Sequence, residues 1–331
     1  MKYSFPYCEG TFKYLWDNPK LCRHVNDIYF SDNSIFPSAR NSPLSQEHWH
    51  ELYDISEKLN IRLNYIMNPS VYDAHVYFLE KKQELADKIK KLAEHDVTII
   101  TFNNTMLMND PVIKDALAGY EVKNSVNNMV TTLEQVKELV EVAGLKSIFL
   151  GRDINRNMTE IKRIRKHYPD VKLHLLGNEN CYPGCIYKPF CDNLICSASL
   201  EGDLTFNQLN EYRTTVACDQ SKFSLYQKLA NNIIYPSQIK HYAEYVDVLK
   251  ISGRLNPIEK ISKVFEAYVN EDNTYMVETI YNGLIIPDSY YDYTLDCKNK
   301  CVTCSVCNRV INIAEEYENE KNLVKRTDPT S

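Results

Sequence analysis

The chain has no run approaching the roughly 18 apolar residues that a membrane span requires. No long apolar stretch follows Met1 either, so neither a membrane anchor nor a secretory signal peptide is expected. There is no G-x-G-x-x-G after a strand-like run, no H-E-x-x-H and no G-x-S-x-G. Those gaps remove the phosphate-binding turn of a dinucleotide fold, the zinc-peptidase helix and the nucleophile elbow. Basic charge is not in excess: 38 Lys and Arg against 44 Asp and Glu leave a net charge of −6. Charge therefore does not indicate nucleic-acid binding. The remainder is ordinary for a globular protein, with 331 residues, 44% apolar and 25% charged, enough for one large domain and an appendage.

Cysteine is what the chain has in concentration. Of eleven, four fall in the window Cys181, Cys185, Cys191 and Cys196, spaced C-x3-C-x5-C-x4-C. Four more, Cys297, Cys301, Cys304 and Cys307, form C-x3-C-x2-C-x2-C. An odd, clustered set without a secretory signal argues against a disulfide framework and for metal ligation in a reducing compartment, which predicts a cytoplasmic protein. Three thiolates on a tight loop hold three corners of a 4Fe–4S cube, with a fourth ligand from elsewhere. Cys181, Cys185 and Cys191 fit, with Cys196, Cys218, Cys8 or a cysteine of the second window as the fourth. Zinc is the alternative, because four thiolates also satisfy a tetrahedral site. The second window adds a second cluster or shares one. Its CxxxCxxC spacing is also that of radical S-adenosylmethionine enzymes, but there the motif follows the first barrel strand and here it follows the last.

Strand-like runs lie at 2–7, 27–31, 62–67, 97–102, 121–126, 147–151, 172–176 and 246–252. Helical periodicity fills most intervals, as at 45–59, 74–95 and 132–144, the last with Gly144 as a C-terminal stop. The pattern predicts an α/β fold, a TIM-like (β/α)8 barrel over 1–270, with an open doubly wound sheet as the alternative. A Cys-rich insertion over about 178–235 precedes the last strand. Residues 271–331 form a small extension, read as a β-hairpin from the tyrosine-rich runs between 274 and 295, followed by the second cysteine window. A charged helix is expected over 315–326.

In a barrel the residues just past each strand face the active site. Here they are polar: Glu9, Asn68, Asn103, Asn104, Asn127, Asn128, Arg152, Asp153, Asn155, Asn178, Glu179, Asn180 and Arg254. Amides and guanidinium groups there suit a small polar substrate or a peptide. Arg152, Asp153, Asn178, Glu179 and Arg254 are the expected substrate contacts, and no catalytic residue is singled out.

The stretch IIYPSQIKHYAEYVDVLKISGRLNPIEKISKVFEAYVN resembles the signature of the peptidase U32 (collagenase-like) family, through Lys250, Ser252, Gly253, Arg254, Pro257, Ala267 and Tyr268. Upstream, the LxRDxN element at Leu150, Arg152, Asp153 and Asn155 is similar to the same family. The resemblance implies a barrel with a 4Fe–4S cluster at its C-terminal mouth, and a protein of the kind implicated in oxygen-independent hydroxylation of quinone precursors or RNA bases. The chain departs from the family pattern in its cysteine spacing, in Tyr235 where a cysteine often stands, and in Ser252 where the family has Glu.

Three functions follow as expectations. The first is an iron–sulfur enzyme that modifies a small polar metabolite, peptide or RNA base. The second is a peptidase, which would need a Cys–His pair drawn from residues such as His174 or His241. The third is a non-catalytic iron–sulfur subunit that works with a sister subunit.

Overall fold

Along each strand-like run, residues that pack outward alternate with residues that face the opposite side, and eight parallel strands result. The computed structural model describes residues 1–32, 44–70, 80–201, 208, 211–212, 218, 222–284, 286–301, 303–314 and 316, with backbone only over 197–201. The strands are β1 (Lys2–Pro6), β2 (Val25–Phe30), β3 (Arg62–Met67), β4 (Val97–Phe102), β5 (Glu121–Asn124), β6 (Ser147–Phe149), β7 (Lys172–Leu176) and β8 (Val248–Lys250). They pair in sequence order and β8 returns to β1, so the barrel closes. Each of the eight runs read from the sequence contributes a strand, and the open-sheet alternative is excluded.

The helices between them are α1 (Thr11–Asp17), α2 (Gln46–Leu59), α3 (Lys82–Lys91), α4 (Pro111–Leu117), α5 (Leu133–Glu141), α6 (Met158–His167), α7 (Lys188–Glu201), α8 (Ile239–Tyr242) and α9 (Ile258–Val269). Their ends follow local chemistry. Ser45 accepts from the His48 N–H to start α2, and Thr132 accepts from the Gln135 N–H to start α5. Asn60 ends α2 in the left-handed conformation that asparagine tolerates. Residues 74–79 of the helical stretch expected over 74–95, parts of the cysteine-rich insertion, and the tail helix at 315–326 apart from Glu316 lie outside the described residues.

Outward residues such as Tyr3, Phe5, Ile28, Phe30, Leu63, Tyr65, Ile100, Phe102, Leu173, Leu175 and Leu249 form one core with the helices. The inward positions are different. Barrel interiors are usually filled by branched apolar side chains, but one layer here is polar and buried: Ser4, Asp27, Asn64, Thr101, Lys123, Ser147 and His174. Asp27 accepts from Ser4 Oγ at 2.7 Å and from Asn64 Nδ2 at 2.8 Å, and Thr101 Oγ1 donates to Asn64 Oδ1 at 2.9 Å. Lys123 Nζ stands 3.8 Å from Asp27. Burial works against ionisation of Asp27, but Lys123 and the amide and hydroxyl donors outweigh it and hold the carboxyl below its ordinary range. Burial also lowers the Lys123 ammonium.

His174, on β7, shares a 2.8 Å hydrogen bond with Ser147 Oγ through Nε2 and is fully buried. Burial, then Lys123, keep the imidazole neutral well below its ordinary value of 6.5. The unfolded chain therefore binds a proton below about pH 6.5 that the folded chain refuses, and stability falls as pH falls through that range. Urea unfolding from pH 7.5 to 5 is expected to show a component of up to about 1.4 kcal/mol per pH unit below pH 6.5 that His174→Gln abolishes. Parallel pH curves for the two proteins would refute it.

The extension is helical. The runs read as a hairpin form α10 (Thr274–Tyr281) and α11 (Asp288–Thr294). The tyrosines that suggested strands sit at helical spacing instead: Met276 and Tyr281 on α10, and Tyr290, Tyr291 and Thr294 on α11, are buried. Asn282 and Gly283 break the chain with positive φ of 54° and 79°, and Pro287 caps α11. These helices and residues 306–314, also helical, pack on Leu229, Ile233 and Tyr235 to make a second core.

Candidate functional site at the barrel mouth

Cavities open at the C-terminal ends of the strands, two of them of about 300 and 310 Å³, at the lower end of ligand-site volumes. The first has Tyr29, Ile66 and Lys250 from the strands in its wall, with Glu179, Lys188, Asp192 and Arg254 above. The second is lined by Asn103, Asp153, Cys181, Tyr182, Cys185 and Asn193, among others. Arg152 lines both.

Arg152 follows β6 through Gly151, whose place cannot be taken by a larger residue without moving backbone. A Cβ there would lie 2.8 Å from Met129 backbone atoms, and the Gly151 N–H already donates to Val130 C=O at 2.7 Å. The guanidinium is 2% exposed, donates from Nη2 to Asn127 Oδ1 at 3.1 Å and meets Glu179 Oε2 at 3.3 Å. Its Nε has no hydrogen-bond partner among the described residues. Burial opposes its charge, and Glu179, Asp192 and Cys181 outweigh that.

The other expected substrate contacts are placed as follows. Asp153 lines the second cavity, and its carboxylate accepts from the Gly184 N–H at 3.1 Å and from Asn232 Nδ2 at 2.7 Å, which ties the cysteine loop down. Asn178 and Ser252 exchange hydrogen bonds of 3.1 and 2.6 Å between the ends of β7 and β8. Arg254 donates to Ser31 Oγ. Sequence reasoning did not single out Lys250 or Tyr29: the Lys250 ammonium lies 3.8 Å from the Tyr29 ring centre, a cation held on an aromatic face at the barrel top. Only the family-like KISGR run marked it.

The cysteine windows behave differently. Cys181 and Cys185 share the second cavity, whereas Cys191 and Cys196 lie on α7 and line neither. Burial, then Glu179, push the Cys181 thiol up. The C-terminal four follow Asp296, whose carboxylate accepts from the Thr159 N–H and hydroxyl in α6. Burial pushes Cys307 up to about 11, with Arg156 drawing it down and Cys301, Cys297 and Cys304 adding to the rise. Tyr293 Oη is 3.1 Å from Cys304 Sγ, the Val306 N–H donates to the same sulfur at 3.4 Å, and the Tyr226 side chain lies near Cys301. The Tyr182 side chain, next to Cys181 in the chain, lies near the Cys301 thiol, so the two windows approach each other there. Among the described residues no three Cys, His, Asp or Glu side chains stand at distances that hold a metal ion. The donor set nevertheless suits one: soft thiols, with buried cations Arg152 and Arg156 carrying unpartnered Nε groups beside them.

Among the described residues, neither mouth cavity is lined by histidine. His174 is sealed inside the barrel and His241 is exposed on α8. No described helix is long and apolar enough to cross a membrane.

No family model matches the chain. Among curated proteins it is similar to an uncharacterized protease of Methanocaldococcus jannaschii, MJ1657, at 27% identity over 217 residues, or 62% of this chain and 64% of that protein. The match thus spans less than two thirds of that relative. Among solved structures it is similar to the U32 peptidase Mk0906, with a TM-score of 0.53 and 15% identity, covering 78% of this chain and 94% of the other. At that identity the likeness is one of fold.

Proposed function

We propose, from the premise that the chain is related to the U32 peptidase family, that it is an iron–sulfur enzyme acting on a small polar substrate held in the barrel mouth. One observation carries the reading. Cys181 and Cys185 line the same cavity as Arg152 and Asp153, so soft metal ligands and a buried guanidinium face one space at the catalytic end of a barrel. Cys181 and Cys185 would hold the cluster, with Cys191, on the helix that follows them, as a further ligand. A 4Fe–4S cluster supplies one-electron chemistry when bound; the class of reaction the family resemblance implies is modification without molecular oxygen.

The chain's own residues bind and orient. Arg152 presents, among the described residues, an Nε donor without an acceptor between the two cavities, and Lys250 adds a cation on the Tyr29 face, so the site favours a substrate with a carboxylate or other planar acceptor. Asp153 holds the loop of Gly184 against the barrel, which sets the position of Cys185 beside it. The Asn178–Ser252 pair keeps the ends of β7 and β8 in register under the first cavity.

The name of the M. jannaschii relative suggests a peptidase. That reading has less support, because among the described residues neither mouth cavity offers a histidine to activate a cysteine. Iron, sulfide and zinc content with an absorption spectrum, on protein purified without oxygen, test the proposal. The Cys181→Ala/Cys185→Ala variant is expected to lose about four irons relative to the parent. Equal iron in both, or none in either, would sink it.

A further inference from the structure

Arg156 is a buried cation without an obvious reason to be there. It is 2% exposed, its Nη2 donates to Asn231 Oδ1 at 3.1 Å, and its Nε has no hydrogen-bond partner among the described residues. Among the described residues no carboxylate pairs with it. A guanidinium stays charged in proteins, so burying one without an anion is costly. Its electrostatic neighbours are the phenols of Tyr290, Tyr235 and Tyr281 and the thiols of Cys297 and Cys307. Phenols are neutral near pH 7. Thiols become anions when a metal binds them.

The backbone places the guanidinium and the cysteines together. Lys298 N–H donates to Arg156 C=O at 2.9 Å, Met158 N–H to Leu295 C=O at 3.1 Å, and Asp296 accepts from the N–H and hydroxyl of Thr159. The segment carrying Cys297 is thus stapled to the turn that carries Arg156. Donors stand at Cys304, the Val306 N–H and the Tyr293 hydroxyl, and the Tyr182 and Tyr226 side chains lie near Cys301. Hydrogen bonds to sulfur favour its ionised, ligating form.

We infer that Cys297, Cys301, Cys304 and Cys307 form a tetrathiolate metal centre of their own, for which buried Arg156 is the internal counter-charge. Four thiolates around zinc or around an oxidised cube make a net dianion, and Arg156 neutralises part of it from inside the protein. The centre is independent of what the mouth cysteines hold. Arg156 is a positioning residue that acts on metal retention.

The experiment uses the full chain purified without oxygen, with metal and sulfide analysis followed by chelator-driven release of zinc and iron. A metal centre is expected to remain in the Cys181→Ala/Cys185→Ala protein and to be lost in Cys301→Ser/Cys304→Ser, which separates this inference from the mouth cluster. In the first of these backgrounds Arg156→Met is expected to release the remaining metal about 10- to 100-fold faster, and Arg156→Lys less than that. Because Arg156→Met could disturb folding, its melting temperature is compared in the Cys301→Ser/Cys304→Ser background. There the substitution is expected to be neutral or stabilising, since it removes a charge with no counter-ion. Release at the unaltered rate, or no metal beyond that lost with Cys181 and Cys185, would overturn the inference. Sulfide in the retained centre identifies a cube and its absence identifies zinc, and either outcome supports the counter-charge.

Discussion

Asp27→Ala is expected to destabilise the protein by about 3–5 kcal/mol, among the largest effects a single change has here. The carboxylate is fully buried and accepts from Ser4, Asn64 and Asn26, the last at 2.6 Å, while Lys123 faces it at 3.8 Å. Removing it leaves the Lys123 ammonium inside the barrel with no anion and three donors with no acceptor. A buried ion pair contributes little net stability compared with well-packed apolar groups, but half of one is costly. The double variant Asp27→Asn/Lys123→Met is therefore expected to recover most of the loss. Denaturant unfolding of Asp27→Asn, Lys123→Met and the double gives the coupling directly. Additive single effects would show that the two groups do not depend on each other.

Tyr235→Ala is expected to cost a similar about 3–5 kcal/mol, but in a different place. Tyr235 is fully buried between the barrel and the extension, with ring centres of Tyr291 and Tyr290 at 4.8 and 5.9 Å and its hydroxyl 2.5 Å from that of Tyr281. Truncation opens a cavity where the second core meets the segment leading into β8. Hydrogen exchange is expected to lose protection over α10 and α11 while β1 to β4 keep theirs, because those strands belong to the other core. Uniform loss across the chain would mean that the two cores unfold as one.

These two residues also mark where the sequence was readable. The strands were legible because short apolar runs at βα intervals report barrel staves directly, and the polar residues after them lie where a barrel puts its mouth. Asp27 and Lys123 were hidden by the same pattern: a polar residue inside a strand reads as solvent-facing until closure turns that face inward. The tyrosine-rich extension misled, since tyrosine favours strands in isolation, yet Tyr290, Tyr291 and Thr294 bury one face of a helix. Tertiary packing against Tyr235 decided the outcome. The cysteine windows were visible by density alone, whereas the contact between them through Tyr182, and Arg156 behind the second, depends on chain segments more than a hundred residues apart.

The meeting of Tyr182 with Cys301 has a consequence for the order of events during synthesis. The chain emerges from its N-terminus, and Cys301 follows Lys250, the last residue of β8, by about fifty residues. The eighth stave is thus available to close the hoop before the residues that flank the mouth loop from the far side have been translated. Barrel closure and completion of the cysteine region are separated in time by the direction of translation, so a nascent chain halted between these two points would hold a finished barrel with an unfinished mouth.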